Sequence, residues 1–358
     1  MDQGRNLAST SNSEEDDLND IIREEALDFL PAKSLFRFMA VCHLWKRHIL
    51  TPTFHFNQSL RFTDTTGLFC QTSPETPPVF IPIHPASAGV PDPSLSFLPE
   101  PVVIRASSNG LLCCQGQTED GHLYLCSPAI KHWKKLPKPT ACHGSEPALV
   151  VIFEPSRLTN VSEYKLICAF EFPDFGDAIG FEIYSSKTKS WRVSGDFCFG
   201  AKKATLGSGV HVNGVVYWPF IESDGIVSFD LTKDRSELLD NVKTEGLLGT
   251  YYGMLCKVVL RLYYTEAVVK VKVNFQLADR VIKWELVRHA VFPPDVYMLM
   301  DDDFACRVVS IGREEVVIQH RNQLYSYDLQ TEETKTLTKP DEPEYDICVP
   351  YVNNLVYL

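Results

Sequence analysis

The sequence predicts a short α-helical unit followed by a larger all-β domain. Three observations carry that prediction: a three-and-four spacing of apolar residues between Leu18 and Leu50, a change to short β-type runs after Phe54, and a loose repeat through the remainder. The 358 residues have room for one large or two ordinary domains, and 44% hydrophobic with 22% charged residues is the balance of a soluble globular chain.

In the helical unit, Leu35, Phe38, Cys42, Trp45 and Ile49 fall on one face of a helical segment. Pro31 pushes Leu30 out of the helical region, so a first helix near Ile21 to Asp28 ends there and a second begins after the turn. Thr51-Pro52 is expected to close the unit. About three short helices in roughly 35 residues are too few to enclose a core alone. Leu18, Ile22, Leu27, Leu30, Leu35 and Phe36 supply more apolar surface than such a bundle hides. They either meet a partner or lie against the following domain.

After Phe54, strand-like runs alternate with Gly, Pro, Asn, Asp and Ser. Prolines crowd the stretch from Thr72 to Pro101, which reads as an extended connection or a long surface loop. Leu123 to Trp133 and Phe181 to Trp191 share one internal spacing, and runs starting at Ile226 and Leu324 repeat the same strand–turn–strand pattern, with Val269 to Trp284 a degenerate copy between them. A period of about 45 to 50 residues with several short strands per copy is the signature of propeller blades, here about six. Asn109-Gly110 and Asn213-Gly214 precede apolar runs, as tight hairpins that need positive φ require. A pair of β-sandwiches is the competing architecture. Trp133, Trp191 and Trp218 read as blade core.

A net charge of −12 argues against nucleic acid or anionic lipid as a partner. The polar amino terminus, with Glu14-Glu15-Asp16-Asp17, lacks the apolar core of a signal peptide, and apolar runs such as Ala148 to Phe153 are far short of a membrane helix. Eleven cysteines with no CxxC pair suggest a reducing compartment, cytoplasmic or nuclear, in which most thiols fill core space. Ten histidines without HExxH spacing point to no metal and no cofactor; Cys142-His143 is a bare dipeptide, and Lys202-Lys203 reads as a solvated turn. No catalytic residue is assigned.

Leu18 to Lys46 reads LNDIIREEALDFLPAKSLFRFMAVCHLWK and closely resembles the F-box. The resemblance rests on Leu18, Glu25, Leu27, Leu30-Pro31, Lys33-Ser34-Leu35, Arg37-Phe38, Val41-Cys42 and Trp45, with Asn19 and Ala26 in place of the usual proline and isoleucine. The remainder resembles the F-box-associated domain of plant F-box proteins and, in layout, kelch-type propellers: Ser108-Asn-Gly-Leu-Leu-Cys, Tyr124-Leu-Cys-Ser-Pro, Lys135-Leu-Pro, Tyr164-Lys-Leu, Ile183-Tyr-Ser and Ser190-Trp-Arg carry it.

The resemblance implies a fold of F-box (15–54), proline-rich connection with first β elements (55–101) and propeller (102–358). It implies a non-catalytic subunit that docks a Skp-type adaptor, and through it a cullin–RING ubiquitin ligase, while an unknown target protein binds the β domain. The adaptor-binding residues it points to are Leu18, Ile22, Leu30, Pro31, Leu35, Val41 and Trp45. An F-box-like interaction protein outside a ligase, motivated by Asn19 and Ala26, and a propeller enzyme are the rival readings.

Overall fold

The computed structural model describes residues 26–84, 89–155, 162–171, 177–202, 206–221, 224–240, 242–243, 245–262, 267–278, 281–291 and 306–358. Helices come first. A 3₁₀ turn (Leu27–Phe29) leads into α1 (Ala32–Phe38), α2 (His43–Ile49) and α3 (Pro52–Arg61). Leu30 is extended at φ −90°, ψ 140°, as the following proline demands. Thr51-Pro52, expected to close the helical unit, instead opens its longest helix. Thr51 Oγ1 accepts from the Phe54 amide, and Pro52 takes the first-turn position where a missing N–H costs nothing.

Six antiparallel sheets follow. The first is built from both ends of the domain: β1 (Gly67–Gln71) lies between β2 (Val79–Pro82) and the last strand, β23 (Ile347–Tyr351). The second holds β3 (Val102–Ser108), β4 (Leu111–Gly116), β5 (Leu123–Ser127) and β6 (His132–Lys135). The third holds β7 (Ala148–Pro155), β8 (Ser162–Glu171), β9 (Ala178–Ser185) and β10 (Ser190–Phe199). The fourth holds β11 (Val210–Val212), β12 (Val215–Pro219), β13 (Gly225–Asp230) and β14 (Arg235–Asp240). The fifth holds β15 (Leu247–Tyr251), β16 (Met254–Leu262), β17 (Ala267–Ala278) and β18 (Val281–Val291). The sixth holds β19 (Cys306–Ile311), β20 (Glu315–His320), β21 (Gln323–Asp328) and β22 (Thr334–Thr336).

The inner strands touch in a ring, β3 against β7, β7 against β11, β11 against β15, β15 against β19, β19 against β23 and β23 against β3. This is a six-bladed β-propeller. The core is divided among the six interfaces between neighbouring blades, because alternate residues of one strand point to opposite faces. Leu68 and Cys70 face blade 6, whereas Phe69 between them faces blade 2. Cys113 and Cys114 likewise fill different interfaces. Each sheet is thus apolar on both faces, which two stacked sandwiches would not require.

The repeated segments starting at Leu123, Phe181, Ile226 and Leu324 all begin in the third strand of a blade, and Val269 starts within β17, the third strand of blade 5. Both Asn-Gly turns have positive φ at both residues, 40° and 88° at Asn109-Gly110 and 49° and 82° at Asn213-Gly214. They join first to second strands in blades 2 and 4.

The proline-rich stretch, expected as an extended connection or a long surface loop, connects β2 to β3, and among its described residues Val90, Leu95 and Leu98 are buried with Phe69, Val102 and Ile104 at the blade 1–blade 2 interface. Blade 1 has three strands instead of four. Trp191 and Trp218 are core, but Trp133 is 36% exposed. Trp133 meets Tyr124 edge-on on the side facing blade 1, where no fourth strand covers it.

Candidate docking surfaces

The helical unit is fixed to one face of the propeller. Leu27, Ala32, Leu35, Ile49 and Phe54 form a core with Ala129, from the turn between β5 and β6, and Leu355, from the tail after β23. Within the helical unit, Gln58 Nε2 donates to the carbonyls of Asp28 (2.9 Å) and Leu30 (3.2 Å), and Asn57 Nδ2 donates to Asp28 Oδ2 at 3.0 Å, tying α3 to the 3₁₀ turn. Polar contacts also close the seam with the propeller. Asn109 Nδ2 reaches the Ser59 carbonyl at 2.8 Å, and Arg313, in the β19–β20 turn, pairs with Asp64 at 3.0 Å. These attachments use first-to-second and third-to-fourth strand turns. That end of the propeller is the hairpin face.

The residues singled out in the F-box separate into three groups. Leu18 and Ile22 lie outside the described residues. Leu35 is fully buried, so it supports a docking surface only from beneath. Trp45 is half-buried, packed edge-on against Phe38 at 5.2 Å, and Leu30 is also half-buried. Pro31 and Val41 are exposed, Val41 by 64%.

To the exposed Val41 the structure adds three further apolar side chains of the helical unit, Phe29, Leu44 and Leu50, exposed by 62%, 50% and 50%. Sequence reasoning passed over these three. The available signal was apolar residues off the Leu35–Phe38–Cys42–Trp45–Ile49 stripe, where a solvated helix face would be polar. Arg61 lies over the Phe29 ring at 3.9 Å and orients it. The helix carrying Leu44 is capped by Cys42, whose sulfur accepts from the Trp45 amide at 3.3 Å.

The opposite, crossover face carries the second-to-third strand loops and the connections between blades. A cavity of about 640 Å³ opens there between blades 4 and 5, lined by Pro219, Phe220, Ile221, Asp224, Glu245 and Leu247 among others. Ile221 is 67% exposed beside it. Lys202 is exposed and Lys203 lies outside the described residues.

Cys142-His143 belongs to a different arrangement. Cys142 is exposed, but His143 is buried with its Nε2 2.7 Å from Glu182 Oε2. The Glu182 carboxylate, fully buried in β9, also accepts from the Thr140 amide and hydroxyl and the Ala141 amide. Burial opposes its ionisation, yet these hydrogen bonds outweigh burial and hold the carboxyl below its usual range. The effect is a clamp: β9 of blade 3 grips the connection arriving from blade 2, and Trp191 Nε1 adds a bond to the Pro137 carbonyl at 2.8 Å. No helix among the described residues is long and apolar enough to cross a membrane.

Comparison with known proteins agrees with both halves. Residues 16–57 match the F-box domain family, and residues 93–243 match the family described as "F-box protein At3g26010-like, beta-propeller". Among Arabidopsis thaliana proteins, F-box protein At5g49610 is 38% identical over 117 residues, 30% of this chain and 30% of its own length. F-box/kelch-repeat protein At3g23880 is 26% identical over 228 residues, 59% of this chain and 62% of its own length. F-box protein At3g08750 is 22% identical over 295 residues, 81% of this chain and 78% of its own length. The chain thus spans less than two thirds of the first two of these relatives.

The fold and the matches define a class, an F-box joined to a β-propeller. Within that class the chain is a plant-type F-box protein.

Proposed function

We propose that this chain is the target-recognition subunit of a Skp adaptor–cullin–F-box ubiquitin ligase. The observation that carries the reading is the division of labour between the two faces. Exposed Phe29, Val41, Leu44 and Leu50 project from helices bound to the hairpin face, while among the described residues the crossover face carries the cavity and no part of the helical unit. Exposed apolar side chains on a small, firmly anchored helical unit suit burial against an adaptor surface. Each fully buried side chain of this size is worth about 1.5–3 kcal/mol.

The chain would contribute position, not chemistry. A target held on the propeller sits at high effective concentration near the ubiquitin thioester carried elsewhere in the assembly, and no nucleophile is required of this chain. Pro31 and Val41 would lie in the adaptor contact, Leu30 and Trp45 at its edge, with Leu35 beneath; Leu18 and Ile22 would extend it. The proposal places the chain in the cytoplasm or nucleus, with a protein target and neither nucleic acid nor membrane as partner.

The test is titration of the purified full chain with a purified Skp-type adaptor. Saturable binding that is lost in a Val41→Asp, Leu44→Asp double variant of unchanged unfolding temperature is the expected result. An intact chain that binds no such adaptor would leave an interaction protein acting outside a ligase.

A further inference from the structure

Cys70 and Cys348 are directly opposite each other in the seam that closes the propeller, β1 against β23. Two prolines fix what kind of pair they make. Pro350 stands opposite Leu68 on the β23 side of β1, and Pro82 stands opposite Gly67 on the β2 side. Proline has no N–H to exchange, so both are places for non-hydrogen-bonded pairs, and the two assignments agree because a strand's backbone groups alternate in direction. Cys70 and Cys348 lie two residues from Leu68 and Pro350 and therefore fall in the same class. In such pairs the Cα atoms are about 4.5 Å apart. That separation lies inside the roughly 4.4–6.8 Å range that a disulfide spans.

The side chains agree with the backbone. Leu68, Cys70 and Cys348 share the blade 1–blade 6 interface, with the Cys70 and Cys348 thiols interacting there. Cys70 is fully buried, whereas Cys348 is only partly so. Cys348 also reaches Gln319 Oε1 at 3.7 Å, and that same oxygen accepts from the Arg307 guanidinium at 2.8 and 3.0 Å. The neighbouring Cys70 thiol, against the opposing effect of burial and with help from Arg307, holds the Cys348 thiol below its ordinary range; the same interaction and burial push Cys70 up.

We propose that Cys348 and Cys70 form an oxidative modification site, at which hydrogen peroxide converts the thiol pair to a disulfide that locks the propeller ring. The Cys348 thiolate attacks one peroxide oxygen, and the O–O bond breaks. Cys348 becomes a sulfenic acid, and the other oxygen leaves as water after taking the proton Cys348 had released. The Cys70 sulfur then attacks the Cys348 sulfur. The S–S bond forms as the S–O bond breaks, and a second water departs with the Cys70 proton. Two thiols lose two electrons and one hydrogen peroxide is reduced, with a dithiol reductant able to reverse the change.

The lock has structural reach because this seam also anchors the helical unit. Thr66, just before β1, bonds the Tyr351 carbonyl and the Asn353 amide, and Leu355 belongs to the helical core. A bond from β1 to β23 holds the ends of the ring and the base of the F-box together.

Cys114 and Cys126 provide an internal control. Their thiols interact too and both are fully buried, but their cross-strand partners are Tyr124 and Leu112 respectively. They are diagonal neighbours, typically about 7–8 Å apart, which is too far for a disulfide without backbone movement.

The experiment treats the full chain with limiting hydrogen peroxide, traps remaining thiols with N-ethylmaleimide under denaturing conditions, and maps peptides without reductant. The expected product is a linked Cys70–Cys348 peptide, reversed by dithiothreitol, with Cys114 and Cys126 recovered alkylated. The oxidised chain should unfold roughly 5 °C higher, a shift absent from Cys348→Ser under the same treatment. Recovery of Cys348 as sulfinic acid with Cys70 alkylated, or a dominant link between any other pair, would overturn the proposal. Mapping of the unsubstituted chain decides the matter even if the variant folds poorly.

Discussion

Asn354 Nδ2 donates to Asn109 Oδ1 at 2.7 Å, joining side chains 245 residues apart in the sequence. The two amides connect three parts of the molecule. Asn109 donates onward to the Ser59 carbonyl in α3, and Asn354 also donates to the Phe62 carbonyl just beyond that helix at 3.0 Å. Asn354 is fully buried, so its loss strands partners that water does not reach. Asn354→Ala should lower the free energy of unfolding by roughly 1–3 kcal/mol in urea titration. Gly110→Ala should cost at least as much, because φ is +88° there and an added Cβ would lie 1.9 Å from Asn354 Oδ1.

Leu35 and Val41 should behave oppositely although both stand in the F-box pattern. Leu35→Ala opens a cavity in the helical core and should cost about 2–5 kcal/mol. Val41→Asp, on a surface position, should stay within about 0.5 kcal/mol of the parent in stability. Adaptor binding should fall in Val41→Asp at a temperature where that variant is fully folded. Circular dichroism melts run beside the binding titrations separate the two effects.

Glu182 makes a pH prediction. Its carboxyl ionises at lower pH in the folded chain than in the unfolded one. The carboxylate therefore contributes stability in full above the unfolded value of about 4.3, and that contribution fades as pH falls through the lower folded value. Glu182→Gln should be least stable relative to the parent at neutral pH. The gap in unfolding temperature should narrow as the buffer is taken from pH 7 toward pH 3; a gap that is constant with pH would count against the clamp described above.

Trp133 and Trp218 test how the blades are filled. Trp218→Ala removes a fully buried ring packed against Phe181 and should cost about 3–5 kcal/mol. Trp133→Ala, at an interface left open by the three-stranded blade, should cost clearly less in the same denaturant titration.

The sequence made the propeller readable because its repeat falls on one structural unit, the third strand, its turn and the fourth strand of a blade. Phe181 to Trp191 and Leu123 to Trp133 match for that reason. The exposure of Trp133 was not readable, since it depends on a missing strand in a blade assembled from residues 67–82 and 347–351. The F-box was legible from Leu30-Pro31 through Trp45, but periodicity ranks residues by shared face and does not say which face is covered. The propeller turn at Ala129 and the tail at Leu355 cover Leu35 and leave Phe29, Val41, Leu44 and Leu50 outside. The target that the proposed function requires has no such signature, because the sequences of connecting loops are not governed by the strand period.

A blade whose strands come from both ends of the domain also sets an order of events during synthesis. β1 emerges early, with one edge left for β23, which the ribosome supplies only after five further blades have been translated. At ordinary elongation rates that edge waits on the order of tens of seconds. An unpaired apolar strand, Gly67-Leu-Phe-Cys-Gln71, is an aggregation template over such an interval. The nascent F-box helices meet the same delay, because Leu355, part of their core, follows all six blades in the chain. The chain can begin folding blade by blade, but neither its ring nor its helical base is finished until β23 and Leu355 have emerged.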